Sequence, residues 1–176
     1  MTKKELLNEY YYEKLTKSHD LSNFSCGVKD LDAFLKEDAL IQQEKKLNVT
    51  YLAIRKNEIL GFISISADNI RCRDINKKLK SIYPNYPAVK IGRFGVSEKY
   101  QGIGLGSDIL ETIQKIIIKM SKKLGISYIT IDAYCSARKF YLKHSFNQKM
   151  KDYEKLRKKG VKENDTILMY KHIKKI

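Results

Sequence analysis

Tryptophan is absent from the sequence and cysteine is scarce, since the 176 residues include only Cys26, Cys72 and Cys135. These cysteines are far apart, odd in number and outside any CxxC pair. That pattern argues against a disulfide framework and against a zinc site. We therefore expect no bound metal, and each cysteine is expected to be a small buried apolar residue rather than a nucleophile.

Long apolar runs are also missing. No stretch approaches the roughly 20 consecutive apolar residues that a membrane-spanning helix needs. The first 12 residues are charged and lack the apolar region of a signal peptide. The sequence thus predicts a cytoplasmic protein that does not enter a membrane.

Acidic residues are outnumbered, with 20 Asp and Glu against 35 Lys and Arg, a formal charge of +15. Such a balance suggests a polyanionic partner, such as nucleic acid, an acidic membrane surface or a phosphorylated cofactor. The alternative is a solvated lysine surface, because most of the positive charge is lysine and bidentate phosphate recognition favours arginine. Charge alone leaves both interpretations open.

Helix and strand patterns alternate without a linker, which predicts one domain over residues 1–176 with a mixed α/β sheet of six or seven strands and about four helices. The predicted strands cover 10–15, 49–54, 59–65, 88–96, 126–131 and 166–173, with another beginning at Phe146. The predicted helices include 31–39 with Asp30 as N-cap, a basic stretch at 71–82, a long helix ended by Gly125, and 136–144. Residues 150–165 are predicted to be a lysine-rich connection.

The most informative segment is a glycine-rich loop between the strand at 88–96 and the long helix. Glycines let the backbone approach a ligand closely, and a helix N-terminus offers unpaired N–H groups to a phosphate. The dinucleotide fingerprint fails because residue 107 is serine, and the Walker A pattern lacks its Gly-Lys-Ser/Thr. The remaining alternatives are a different pyrophosphate site and a purely structural turn.

This loop resembles the Q/R-x-x-G-x-G/A motif of the GNAT superfamily of N-acetyltransferases. The matching positions are Gln101, Gly102, Ile103, Gly104, Leu105 and Gly106. The resemblance implies that their backbone amides hold the pyrophosphate of acetyl-CoA. It also implies that backbone groups of Phe94 and Val96 pair with the pantetheine arm.

A second segment, 137–146, is similar to the A-x-x-F-Y-x-K-x-G-F segment of the same superfamily. Tyr141 fits the tyrosine position, and the resemblance implies a general acid that protonates the CoA sulfur. A tyrosine is protonated at neutral pH and can donate; the alternative is a packing aromatic. The family glycine is Ser145 here, so the left-handed helix cap is expected to be strained or absent.

Two further segments resemble the toxin-type GNAT proteins, which acetylate the amino group of aminoacyl-tRNA. These are the 23–35 segment, which reads F-S-C-G-V-K-D-L-D-A-F-L from Phe24, and Gly92–Val96, which reads G-R-F-G-V. The resemblance implies a homodimer paired with a small ribbon-helix-helix antitoxin. The alternatives are a GNAT enzyme for a small-molecule amine or protein amino group, and a non-catalytic nucleic-acid-binding module.

Other candidate site residues are charged or aromatic groups near these segments. Lys90 and Arg93 are candidates for holding substrate phosphates, and Glu98 for a general base or a plain loop charge. A base is dispensable if the acceptor is an α-amine, whose pKa lies below that of lysine. Two basic clusters, at 71–80 and 149–162, are either tRNA-facing or solvated, and Tyr10–Tyr12 either stack on bases or pack in the first strand.

Overall fold

The computed structural model describes residues 9–75, 83–162 and 164–173, and this part of the chain forms a mixed sheet with helices. Its strands are β1 (Tyr11–Lys14), β2 (Val49–Arg55), β3 (Glu58–Arg71), β4 (Asn85–Val96), β5 (Tyr128–Tyr134), β6 (Asn147–Gln148) and β7 (Thr166–His172). Its α-helices are α1 (Lys29–Ala33), α2 (Ala39–Glu44), α3 (Leu105–Ser121), α4 (Arg138–Lys143) and α5 (Met150–Lys159). A π-helical stretch, Phe34–Asp38, joins α1 to α2.

The strand order is β1-β2-β3-β4-β5-β7-β6. β4 and β5 run parallel, with Lys90 opposite Thr130, and α3 lies between these two strands in the chain. The pairs β1/β2, β2/β3, β5/β7 and β6/β7 are antiparallel. The predicted mixed α/β sheet is therefore confirmed, with seven strands in the described residues.

The chain divides into two compact units. The first comprises Met1–Ser66 and Gly92–Ile116; in its core, Phe62 packs against Phe24 and Phe34 with ring centroids 5.6 and 6.1 Å away. The second comprises Ala67–Ile91 and Ile117–Ile176. Its core cluster contains Ile70, Ile75, Ala88, Tyr128 and Tyr170.

The hairpin between β2 and β3 closes through a two-residue turn. Lys56 and Asn57 have φ values of 48° and 64°, and Arg55 pairs with Glu58. Positive φ at both central residues is the type I′ geometry that matches the twist of paired strands. The sequence predicts a hairpin turn at Lys56-Asn57-Glu58, between the β-rich runs 49–54 and 59–65. The turn is confirmed, although Glu58 belongs to β3.

The apolar residues that recur from Leu105 to Leu124 predict a helix with one buried face. The long helix α3 has this face but ends earlier than the pattern suggests, at Ser121. Leu105, Ile109 and Ile113 are buried, whereas Leu124 lies beyond the helix and is 63% exposed. The Ser121 hydroxyl donates to the Ile118 carbonyl in the last turn. Gly125 lies beyond the end of α3 and has no positive φ, so the prediction that it ends the helix as a C′ glycine is wrong.

Three other local predictions are wrong. Arg71 is the last residue of β3, and a 3₁₀ turn at Cys72–Asp74 replaces the start of the predicted basic helix, while 76–82 lie outside the described residues. Residues Met150–Lys159 form helix α5 rather than a connection. The apolar residues of α5 recur at three-residue spacing, but they are few among many lysines, so the sequence pattern did not predict a helix. Val28, not Asp30, occupies the N-cap of α1, and no side chain caps it.

No helix in the described ranges combines the length and the apolar character needed to cross a membrane.

Helix α4 ends in a left-handed cap at Ser145, whose φ is 64°. Ser145 N–H donates to the Leu142 carbonyl and Phe146 N–H to the Tyr141 carbonyl, each at 3.0 Å. These two bonds define a Schellman motif, and the Phe146 ring packs on Tyr141 with centroids 5.6 Å apart. The cap is therefore present without the family glycine, and it fixes the backbone that carries Tyr141.

Replacing Ser145 with glycine should stabilise the protein. A non-glycine residue in the left-handed region costs about 1–2 kcal/mol, partly offset by the greater freedom of glycine in the unfolded chain. We expect Ser145→Gly to raise the Tm by about 2–4 °C, the shift that about 1 kcal/mol produces at this chain length. The control is Ser136→Gly, at a described residue without positive φ, which should not raise the Tm. Equal shifts in both variants would contradict the strain argument.

Candidate functional site

The glycine loop follows β4 and leads into helix α3. A 3₁₀ turn at Glu98–Tyr100 comes first, and Gly102 and Gly104 then take positive φ values of 76° and 96°. A Cβ added at Gly102 would meet no heavy atom within 4 Å. There is thus open space beside the backbone at Gly102, and the dipole of α3 favours an anion near the start of that helix.

The Gln101 side chain holds this loop in place. Its Nε2 donates to the carbonyl of Val96 and to that of Cys26, both at 2.9 Å. The amide is thereby engaged within the chain, while the Gln101 backbone remains part of the loop. The motif predicted this residue as a cofactor contact, but it did not reveal the role of its side chain.

A carboxylate on β3 anchors the 3₁₀ turn. The Tyr100 hydroxyl donates to Glu58 Oε2 at 2.6 Å, and Lys99 Nζ lies 3.1 Å from Glu58 Oε1. The hydrogen bond from Tyr100, followed by the contact with Lys99, lowers the pKa of Glu58. Sequence reasoning missed Glu58 and Tyr100 because no motif links positions so far apart.

Glu98 is engaged by the 23–35 segment. Its carboxylate accepts from the Ser25 hydroxyl at 2.9 Å, and its N–H donates to the Ser25 carbonyl at 2.9 Å. Its carboxylate thus belongs to a loop contact, which favours the loop-charge alternative over a general base.

Close packing behind the loop explains why residue 95 is glycine and why Cys26 is a packing residue. A Cβ on Gly95 would lie 2.7 Å from the Phe62 ring and 3.2 Å from Cys26 Sγ, so only glycine fits there. Cys26 is buried, and burial, reinforced by Asp32, raises its pKa to about 12. It is a packing thiol rather than a nucleophile, as the sequence predicted. Phe94 and Val96, on either side of Gly95, are half-buried.

Tyr141 lies on α4 and is 5% exposed. Its ring packs edge-on against Phe140 and Phe146, with centroids 5.1 and 5.6 Å away. Burial raises its pKa above the ordinary value of 10.0. The phenol therefore stays protonated throughout the neutral range, which is the state that a proton donor requires.

The candidate phosphate ligands on β4 have contacts within the chain. Lys90 Nζ lies 2.5 Å from Asp132 Oδ2 on β5. Arg93 is exposed, with its guanidinium 5.4 Å from the centroid of the Phe34 ring and a hydrogen bond to the Gly92 carbonyl. A substrate phosphate would have to compete with Asp132 for Lys90, whereas Arg93 presents its charge on the surface.

The three adjacent tyrosines lie at the start of β1, and Tyr10 directly precedes the strand. The hydroxyls of Tyr10 and Tyr12 hydrogen-bond to Asp108 in the first turn of α3, and burial raises the pKa of that carboxyl. Tyr11 points to the opposite face and is 51% exposed. Tyr10 and Tyr12 thus pack on the helix, leaving only Tyr11 placed for stacking.

The late basic cluster is carried largely by α5, whose lysines are solvent-exposed. These are Lys151, Lys155, Lys158 and Lys159. Arg138 Cζ lies 4.0 Å from the centroid of the Tyr153 ring, which holds α5 against the start of α4. In the early cluster, Arg71 and Arg73 are exposed, and its lysines lie outside the described residues.

Residues 10–162 match the acetyltransferase (GNAT) domain family. Since the match covers most of the sequence, the chain belongs to the GNAT acetyltransferase family. It is accordingly an acetyl-CoA-dependent acetyltransferase.

Two similar proteins are named as toxins. A tRNA-acetylating toxin of Mycobacterium tuberculosis is 24% identical over 135 residues, covering 76% of this chain and 81% of the relative. A probable toxin, TacT, of Sinorhizobium fredii is 26% identical over 120 residues, covering 65% of this chain and 66% of the relative.

Solved structures share the fold. A tyrosine-to-phenylalanine variant of KacT has a TM-score of 0.79 at 24% identity, covering 93% of this chain and 95% of that chain. AtaT complexed with acetyl-methionyl-tRNAfMet has a TM-score of 0.78 at 22% identity, covering 93% and 95%. These similarities confirm the predicted GNAT fold.

Proposed function

We propose that this chain, acting as a single catalytic domain over 1–176, transfers the acetyl group of acetyl-CoA to the α-amino group of aminoacyl-tRNA. The observation that carries the proposal is the open glycine loop at the start of α3, in a chain that belongs to an acetyltransferase family. The substrate is suggested by the named relative that acetylates tRNA and by AtaT in complex with an acetylated aminoacyl-tRNA. A formal charge of +15 is compatible with a tRNA substrate.

The proposed cofactor contacts lie along one segment of the chain. Backbone amides of Gln101–Gly106 hold the pyrophosphate, and backbone groups of Phe94 and Val96 pair with the pantetheine arm. The free space at Gly102 and the two left-handed glycines fit a phosphate that approaches the backbone closely. No metal is needed for this mode of binding.

A matched pair of glycine variants tests the loop. Gly102 and Gly160 both have positive φ, 76° and 81°, and neither has a heavy atom within 4 Å of an added Cβ. Gly102→Ala should weaken acetyl-CoA binding by roughly 10–100-fold, the effect expected when a charge-assisted hydrogen bond is displaced. Gly160→Ala carries similar backbone strain but should bind normally in calorimetry. Equal affinities in the two variants would exclude the loop as the binding site.

Tyr141 is proposed as the general acid. As the acceptor nitrogen forms its bond to the acetyl carbon and the carbon–sulfur bond breaks, the Tyr141 hydroxyl gives its proton to the departing sulfur. The attacking amine loses a proton to solvent, and solvent returns a proton to the Tyr141 phenolate once the thiol has left. The α-amine of an aminoacyl ester should be less basic than a free N-terminus, whose pKa is about 7.7–8.0, so much of it is neutral without a protein base.

Substrate and partner contacts complete the proposal. Arg93 and Lys90 are proposed to hold phosphates of the substrate, with helix α5 as a wider basic surface. A homodimer and a small ribbon-helix-helix antitoxin are proposed as assembly partners, in the cytoplasm. AtaT has been solved with the C-terminus of the antitoxin AtaR and acetyl-CoA, and KacTA with DNA, which supports an antitoxin partner.

The direct experiment uses labelled acetyl-CoA with bulk aminoacyl-tRNA. Label should enter aminoacyl-tRNA and should be absent from deacylated tRNA, which has no such amine but offers the same phosphates. Equally fast labelling of free amino acids, polyamines or peptides would replace the tRNA substrate by a small amine or protein amino group. No labelling of any amine, with intact tRNA binding, would indicate a non-catalytic nucleic-acid-binding module.

A further inference from the structure

The 23–35 segment is joined to the cofactor loop by hydrogen bonds that the loop motif does not explain. Glu98 N–H donates to the Ser25 carbonyl and Gln101 Nε2 donates to the Cys26 carbonyl, each at 2.9 Å. The Ser25 hydroxyl also reaches Glu98 Oε2 at 2.9 Å. Two consecutive residues of one segment thus fix both ends of the turn that precedes the glycines.

Asp32 sets the shape of the turn that makes these contacts. Its Oδ1 accepts from Cys26 N–H at 2.8 Å and its Oδ2 lies 3.2 Å from the Ser25 hydroxyl. Because Asp32 is on α1, the helix orients the carboxylate toward residues six and seven positions earlier. The Ser25 hydroxyl has one hydrogen, so it can donate to Asp32 or Glu98 at a given moment.

The turn also fits closely against the loop. Gly27 has a φ of 81°, and an added Cβ there would lie 3.0 Å from Glu98 Oε1. A shift of the turn would therefore displace the Glu98 side chain as well as the two backbone contacts.

We propose that Asp32 and Ser25 are positioning residues for acetyl-CoA: they hold the 25–27 turn, and through Glu98 and Gln101 the turn sets the position of the pyrophosphate loop. This inference rests on the proposed cofactor site. It assigns a role to the Leu-Asp part of the 23–35 segment, where Leu31 is buried and Asp32 is half-buried against the turn. The two residues act through the loop and do not touch the cofactor.

The test compares Asp32→Ala with Asp30→Ala. Both residues are acidic and on α1, but Asp30 is exposed, and within the described residues no hydrogen bond or ion pair joins its side chain to the turn. In calorimetry, Asp32→Ala should raise the acetyl-CoA Kd about tenfold, the effect of removing a charged hydrogen bond. Its kcat at saturating acetyl-CoA should stay within about twofold, since only uniform binding is weakened. Asp30→Ala should match the wild type in both.

A merely structural role would lower the Tm of Asp32→Ala and leave its Kd unchanged, which would overturn the proposal. If Asp32→Ala fails to fold, Ser25→Ala serves as the second variant, because it removes the hydroxyl with little change in packing. Ser25→Ala should also raise the acetyl-CoA Kd. A double-mutant cycle with Gln101→Leu should be non-additive because both side chains bond to Cys26, Asp32 to its N–H and Gln101 to its carbonyl. Full additivity would also overturn the proposal. Failure of the wild type to bind acetyl-CoA would instead refute the proposed function.

Discussion

Tyr141→Phe should reduce turnover by about 10²–10⁴-fold, the usual contribution of a general acid, while acetyl-CoA binding stays near normal. The substitution removes one hydroxyl and keeps the ring that packs between Phe140 and Phe146. Steady-state kinetics with aminoacyl-tRNA and calorimetry with acetyl-CoA separate the two effects.

The control for this variant is Tyr170→Phe. Tyr170 on β7 is 4% exposed, so its substitution also removes a buried phenol hydroxyl, but from the hydrophobic core cluster. It should alter the Tm and leave kcat within about twofold. A drop of less than about threefold for Tyr141→Phe, far below the general-acid range, would make Tyr141 a packing residue.

The pH profile gives a second readout of the same role. An acid must be protonated to act, and burial raises the pKa of Tyr141 above 10.0. Deprotonation of Tyr141 should therefore cause no decrease in turnover as pH rises to about 10. The raised pKa would be contradicted if wild-type turnover decreased with the deprotonation of an acid near neutral pH and Tyr141→Phe lacked this decrease.

The sequence predicted those parts of the fold that local chemistry determines. Lys56-Asn57 between two β-rich runs specifies a hairpin turn, and the apolar repeat from Leu105 specifies a buried helix face. Helix α5 was missed because its apolar residues are few and its many lysines are equally compatible with a solvated connection. At Ser145, the sequence left a strained cap and an absent cap as alternatives. The cap is present, and the Schellman bonds and the Phe146–Tyr141 contact stabilise it.

The candidate site likewise has a part that the sequence predicts and a part that depends on tertiary structure. The glycines of the loop could be predicted from the sequence, since positive φ and close backbone approach restrict the residue type. The contacts that support the loop are not: Gln101 bonds to Cys26 across 75 positions and Tyr100 to Glu58 across 42. Such pairings depend on tertiary structure, and a single sequence contains no signal that links the partners.

The affinity for tRNA should fall steeply with salt. Every phosphate neutralised by Lys or Arg releases counterions, and a protein with 6–10 such contacts binds about 10³–10⁵-fold more weakly at 200 mM than at 50 mM salt. We expect at least about 10³-fold for this chain, by filter binding, with equal slopes for aminoacylated and deacylated tRNA.

Charge reversal on α5 identifies the surface responsible. Changing Lys151, Lys155, Lys158 and Lys159 to glutamate lowers the formal charge by eight, from +15 to +7. If α5 meets the tRNA backbone, the salt slope should flatten by roughly one unit for each phosphate that α5 no longer neutralises. Reversing the exposed residues Lys14, Lys45, Lys122 and Lys123 makes the same change in net charge at other positions. Because that control keeps the local charge of α5, it should retain the salt slope of the wild type. Equal flattening of the slope in both variants would show that only net charge matters and that α5 is not the tRNA surface.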